Sequence, residues 1–250
     1  MSVPRYLAMT AGDFSVASSL PPRVAWMAMH FSMSSPGLSN RPHTLPPGSL
    51  ILLDDQIPWS SGHSLEVVCQ EAVDTLLRTG AAGLLLDLER PPTEETRRLA
   101  GYLAQCCREA GCSIGMPPAY LDQTEAAVFL PPLPCHCPPQ TVLEPYRGRE
   151  IWLEAVPAGC RIYLSDAPAS VIPEQAEALE AEGAAFPTFS SGPLHCRYFS
   201  KPVGSGIQLS LYDTEETLLE KLDACESLGV TRAVGIWRQI PTWKRAPYQQ

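Results

Sequence analysis

Short apolar runs rich in Val, Ile, Leu and aromatic residues alternate along the chain with longer stretches whose apolar positions recur every three to four residues. This is the pattern of repeated parallel βα units. The runs Arg5 to Thr10, Val24 to Phe31, Ser49 to Asp54, Ala82 to Glu89, Ser113 to Met116, Ala127 to Leu130, Glu150 to Ala155 and Arg232 to Trp237 predict eight strands. Helices are predicted over Ser64 to Thr79, Thr93 to Ala110, Pro173 to Glu182 and Thr214 to Leu228. Thr93 is a suitable N-cap, and Glu94 and Glu95 place negative charge in the first turn, where the helix dipole favours it. Gly80, Gly111 and Gly229 follow three of the helices, where a left-handed residue commonly ends one. The proline-rich stretches Ser35 to Pro47 and Pro131 to Pro145 are expected to be loops, since proline continues neither a helix nor a central strand. Cys196 to Phe199 and Gly206 to Tyr212 flank Gly204 and predict a β-hairpin inserted before the last helix and strand. Together these elements predict an α/β fold, a (β/α)8 TIM-type barrel spanning residues 1–250 as one domain.

Composition narrows the partners. Hydrophobic residues make up 45% of the chain and charged residues 18%, so a packed core is expected rather than disorder. A net charge of −9 argues against nucleic acid or an anionic membrane, both of which need clustered Lys and Arg. A neutral or polar substrate fits this balance better. The N-terminal sequence has no basic stretch leading into an apolar segment, and no later run reaches the length of a membrane span, so a cytoplasmic location is expected. Nine cysteines, an odd number that includes the adjacent Cys106 and Cys107, suit free thiols in a reducing compartment. Cys135-His136-Cys137 lacks the spaced second half of a zinc site, and no cofactor is expected.

In a barrel of this kind functional side chains gather where strands end, on the face formed by the βα loops. The run Gly83 to Glu89 ends in that way. With a period of two, Asp87 and Glu89 share one face while Leu84, Leu86 and Leu88 point to the other, towards the helices. The plainer alternative is that both acids simply leave the core, with Glu89 paired to Arg90 or Arg98. Asp54 and Asp55 end the preceding strand; alternation lets one face the same mouth and leaves a turn or capping role for the other. Trp237, at the end of the last strand, is either an apolar platform for a sugar ring or a core residue. Tyr163, Asp166 and Tyr212 are polar groups of the sort a sugar site uses.

The order of motifs resembles that of family 18 glycoside hydrolases, the chitinase-like barrels, and in particular the branch linked to bacterial spore peptidoglycan. Ala82-Gly83-Leu84-Leu85-Leu86-Asp87-Leu88-Glu89 is similar to that family's fourth-strand signature Asp-Gly-x-Asp-x-Asp-x-Glu in its last Asp-x-Glu. Ser113-Ile114-Gly115-Met116-Pro117-Pro118 resembles the fifth strand and its Pro-containing end. Leu211-Tyr212-Asp213-Thr214, Leu219-Glu220-Lys221-Leu222 and Gly235-Ile236-Trp237 resemble the closing hairpin, helix and eighth strand. The resemblance implies that Glu89 is the general acid and that Asp87 orients the N-acetyl group, whose oxygen attacks the anomeric carbon in place of a protein nucleophile. It also implies that Trp237 floors the sugar subsite. The sequence departs from the signature at Ala82 and Leu85, where two acids would stand, and at Leu130-Pro131-Pro132, where a Tyr-Asp pair would be expected. Asp54 or Asp55 is the candidate replacement for the missing interior acid.

Three readings follow. The first is a glycosidase acting on N-acetylglucosamine-containing glycans, peptidoglycan-derived ones among them. The second is a catalytically silent barrel that binds carbohydrate or a protein. The third is a hydrolase or lyase using Asp54, Asp55, Asp87 and Glu89 around Mg2+ or Ca2+, which take oxygen ligands. The retained Asp87 and Glu89 favour the first, and the lost supporting acids favour the second.

Overall fold

A computed structural model describes residues 3–17, 21, 23–121, 125–165 and 168–240. Its strands are β1 (Arg5–Met9), β2 (Val24–Phe31), β3 (Leu38–Ser39), β4 (Leu50–Asp54), β5 (Gly83–Asp87), β6 (Ser113–Met116) and β7 (Ala127–Leu130), then β8 (Ile151–Glu154), β9 (Ala158–Leu164), β10 (Ser170–Gln175), β11 (Phe189–Ser191), β12 (Cys196–Val203), β13 (Gly206–Tyr212) and β14 (Val230–Ile236). The helices are α1 (Ala11–Val16), α2 (Leu65–Thr79), α3 (Glu94–Glu109), α4 (Pro139–Leu143), α5 (Ala176–Gly183) and α6 (Glu215–Glu226).

All eight predicted strands are present. β1, β2, β4, β5, β6, β7, β8 and β14 pair in parallel in that order, and β14 and β2 both flank β1, closing the (β/α)8-type barrel. Alternate residues fill its interior: Tyr6 and Ala8, Leu50 and Leu52, Leu85, Phe129, Trp152 and Val234 form one buried cluster. On β6 the inward position is Gly115, where a Cβ would stand 2.4 Å from the Trp152 ring. The absent side chain makes room for the indole, over which the Arg232 guanidinium lies at 4.3 Å.

The helix signals hold at α2, α3 and α6. Ser64, Thr93 and Thr214 each accept a hydrogen bond from an N–H of the first turn. Gly80, Gly111 and Gly229 have φ of 67°, 71° and 99° and end the same three helices. The predicted helix from Pro173 needs correction: Pro173 to Gln175 belong to β10, and α5 begins at Ala176. Among the described residues β10 is an edge strand, paired with β9 alone, so proline's missing N–H costs the sheet little there. The proline-rich stretch Pro131 to Pro145 likewise contains a helix, α4, with Pro139 in its first turn, where that N–H would have no partner anyway.

The chain divides into two compact units. Among the described residues, the barrel unit comprises 4–130, 149–153 and 232–240. The other unit, Val3 with residues 131–148 and 154–231, contains a five-stranded antiparallel sheet in the order β10-β9-β13-β12-β11 together with α4, α5 and α6. β12 and β13 pair antiparallel across Gly204, as the inner part of this larger sheet. Phe186 stacks on Phe199 at 5.2 Å, and Phe199 packs with Tyr212, Ala176 and Leu179.

Candidate functional site

The barrel's hydrophobic pattern gives way to charge at the C-terminal ends of β4 and β5. Leu50 and Leu52 face the interior, so period-two alternation points Asp54 the same way; on β5 Leu85 does the same for Asp87. Leu52 is in register with Leu85, and Asp54 with Asp87. β2 adds a third member to this row. Its register with β4 shifts between Trp26 and Met29, after which His30 aligns with Asp54. A bulge of this kind re-aims the residues beyond it. The His30 Nδ1–H donates to Asp54, with Oδ1 and Oδ2 both at 2.9 Å, and the Gln56 N–H donates to Oδ1 at 3.0 Å.

Asp55 points elsewhere and has a different task. Its Oδ1 accepts from the Glu89 N–H at 3.1 Å and its Oδ2 from the Arg90 N–H at 2.9 Å. The Arg90 side chain reaches back, with Nε donating to the Asp55 carbonyl at 2.9 Å and Nη2 to the Gln56 carbonyl at 3.4 Å. Asp55 therefore clamps the backbone that carries Glu89. The Glu89 side chain is exposed and makes no ion pair among the described residues: Arg90 is engaged by carbonyls, and Arg98 lies over the Tyr102 ring.

These groups line a cavity of about 410 Å³, whose apolar part is Met27, Leu52 and Pro91 and whose polar part includes Asp54, Asp55, Asp87, Glu89 and Arg90. Burial, followed by the nearby charges of Glu89, Asp54 and Asp55, pushes the Asp87 carboxyl from its usual 3.8 up to about 6. A carboxyl that keeps its proton towards neutral pH can donate as well as accept a hydrogen bond. The arrangement thus places a proton-retaining carboxyl beside a second, exposed carboxyl group at the mouth of a barrel. Among the described residues, no group of three or more His, Cys, Asp and Glu is placed to hold a metal ion.

The remaining candidates do not line this cavity or lie outside the described residues. Trp237 is half-buried just after β14, with its N–H donating to the Ala8 carbonyl at 3.0 Å, and it does not line the cavity. Tyr163 lies on β9, between Ser170 of β10 and Gln208 of β13. Tyr212 is buried in the aromatic cluster of the second unit. Asp166 lies outside the described residues. Sequence reasoning missed His30, Gln56 and Met27. The only signal for His30 was its place near the end of a barrel strand.

No protein-family model matches the chain, and no curated protein is similar to it in sequence. Solved structures do share its fold. The Bacillus cereus spore cortex-lytic enzyme SleL superposes with a TM-score of 0.56 at 12% identity, covering 97% of this chain and 73% of that one. A glycoside hydrolase family 18 N-acetylglucosaminidase from Paenibacillus barengoltzii gives 0.55 at 11% identity, with 94% of each chain covered. A class V chitinase from Nicotiana tobaccum, solved in complex with NAG4, gives 0.57 at 10% identity, with 95% of this chain and 94% of that one covered. The chain therefore has the fold of the chitinase-like barrels its motifs resemble. At these identities the likeness is one of fold. No described helix is long and apolar enough to cross a membrane.

Proposed function

We propose that this protein is a divergent glycoside hydrolase acting on N-acetylglucosamine-containing glycans, peptidoglycan fragments among them, by substrate-assisted catalysis. The observation that carries this reading is the cavity at the barrel mouth, where Asp87, held protonated up to about pH 6, stands beside the unpaired, exposed Glu89. Glu89 protonates the glycosidic oxygen as the leaving group departs. Asp87 hydrogen-bonds the acetamido group and steadies it while its carbonyl oxygen attacks the anomeric carbon, so that the sugar supplies its own nucleophile. Asp55 fixes the backbone amide of Glu89, which keeps the acid at the rim of the cavity. Water then opens the cyclic intermediate, with Glu89 returning as base.

The test is hydrolysis of fluorogenic N-acetylglucosamine oligomers and of peptidoglycan fragments by the wild type and by Glu89→Gln, which keeps shape and removes the acid. Wild-type turnover that falls at least a hundredfold in Glu89→Gln is the expected result. A second reading, a barrel that binds glycan without cleaving it, draws on two observations. Trp237 does not line the cavity, and Leu130-Pro131-Pro132 stands in place of a polar pair. Glycan binding with no turnover in either protein would establish that reading instead.

A further inference from the structure

The fourth-strand positions where the chitinase-like signature has two further acids are Ala82 and Leu85 here, so Asp87 has no acidic partner on its own strand within the barrel. Its register partner across the sheet is an acid, Asp54, and the partner of Asp54 on the other side is His30. Three titratable residues thus stand in one row across β2, β4 and β5. His30 is itself fixed from both sides. β2 pairs in parallel with β4, and antiparallel with β3, where Ser39 is opposite His30 and its hydroxyl donates to the His30 carbonyl at 3.3 Å.

We propose that His30 and Asp54 are a positioning pair that replaces the missing interior acids: His30 holds the Asp54 carboxylate facing Asp87, its register partner, so that the Asp54 charge bears on the Asp87 carboxyl. Asp54 receives the His30 Nδ1–H and the Gln56 N–H, which fix the orientation of its carboxylate. The other charged groups around Asp87 are Asp55 and Glu89, whose negative charges act in the same direction as Asp54, and Arg90, whose guanidinium is taken up by the Asp55 and Gln56 carbonyls. Asp54 is the one anion among these that is both in register with Asp87 and held by a donor from a third strand. The inference rests on the glycosidase reading for its purpose, since Asp87 is the residue that reading places against the acetamido group.

The test reads the proton directly. Carbon-13 NMR of aspartate-labelled protein follows the Asp87 carboxyl from pH 3 to 8 in the wild type and in Asp54→Asn, His30→Phe and His30→Asn. Phe keeps a ring and removes the donor, while Asn restores an N–H close to the position of Nδ1. The Asp87 midpoint is expected to fall by about half a pH unit in Asp54→Asn. It should fall by a smaller amount in His30→Phe and return towards wild type in His30→Asn. A midpoint unchanged in Asp54→Asn overturns the pair, and one unchanged in His30→Phe overturns the role of His30. The pH profile of hydrolysis should move with the NMR midpoint. Midpoints that move in a protein with no hydrolytic activity would defeat the glycosidase reading and leave the positioning pair standing.

Discussion

Two regions of this molecule withdraw an aspartate from water, and they do so in opposite company. In the second unit Asp213 accepts Lys221 Nζ at 2.7 and 2.9 Å and the Ala158 N–H at 3.0 Å, with the two side chains only 1% and 2% exposed. Burial still lifts the Asp213 carboxyl, against the pull of Lys221, while the Asp213 charge holds the Lys221 ammonium above its usual range despite burial. Cys135, Cys160 and Cys196 close around this pair; burial pushes the Cys160 thiol up to about 11, which keeps it inert. In the barrel Asp87 has acids for neighbours and no cation to compensate. A buried charge that is fully partnered is architecture; one surrounded by like charge costs stability, and such costs are concentrated where chemistry is done.

The sharpest way to break this contrast is to remove the partner that makes Asp213 structural. Lys221→Met leaves an unpaired buried carboxylate, and losses of about 3 to 5 kcal/mol are typical of that change. The urea midpoint of the second unit should fall accordingly. Lys221→Met combined with Asp213→Asn should recover most of the loss, because Asn still offers an oxygen to the Ala158 N–H. A loss below about 1 kcal/mol for Lys221→Met would show that the pair is not what holds this region together.

Asp87 should respond in the opposite sense. Its folded-state value, about 6, lies above the 3.8 of an ordinary aspartate, so between those pH values the folded protein retains a proton that the unfolded chain releases. Stability contributed by this group is therefore present in full below about pH 4, is lost as pH rises towards 6, and is absent above it. The displacement converts to about 3 kcal/mol, which partial exposure trims to about 2. Asp87→Asn should be more stable than the wild type by about 2 kcal/mol more at pH 7.5 than at pH 4, measured by denaturant unfolding at both. An advantage that does not change with pH would mean that Asp87 ionises as an ordinary surface acid.

The contrast also separates what could be read from the sequence from what could not. Eight strands, three capped helices and the inward facing of Asp87 follow from local periodicity and from residues such as Thr93 and Gly80, whose signals act within one turn. His30 resisted the same reasoning. Counting by twos from the inward Ala25 turns His30 outward, and only the irregularity between Trp26 and Met29 brings it level with Asp54. The second sheet was hidden for a related reason. Every residue of β10 is exposed, so the strand has no buried face to give it a period, and Pro173 before a glutamate imitates a helix start. Whether such a segment becomes a strand depends on β9 offering it an edge. Asp55 was legible only as a residue for turns, because the amides it holds lie 34 and 35 positions further on.

That long-range clamp gives the smallest of the expected effects and the one most specific to the site. Asp55→Ala removes the acceptor of the Glu89 and Arg90 amides, while Arg90 keeps its bonds to the Asp55 and Gln56 carbonyls, which belong to the backbone. A charged acceptor at a partly exposed site is worth about 1 kcal/mol overall. Global unfolding should shift by no more than that, whereas hydrogen exchange at the Glu89 and Arg90 amides should quicken by about fivefold, the factor to which about 1 kcal/mol corresponds. If Asp55 serves only to position the acid, kcat for the oligomers should fall with little change in KM, because the loosened group acts in the transition state rather than in binding. Asp55→Asn, which keeps one carboxamide oxygen, should lie between the two. Unaltered exchange at both amides in Asp55→Ala would show that the loop is held by Arg90 alone, and Asp55 would then matter only through its charge on Asp87.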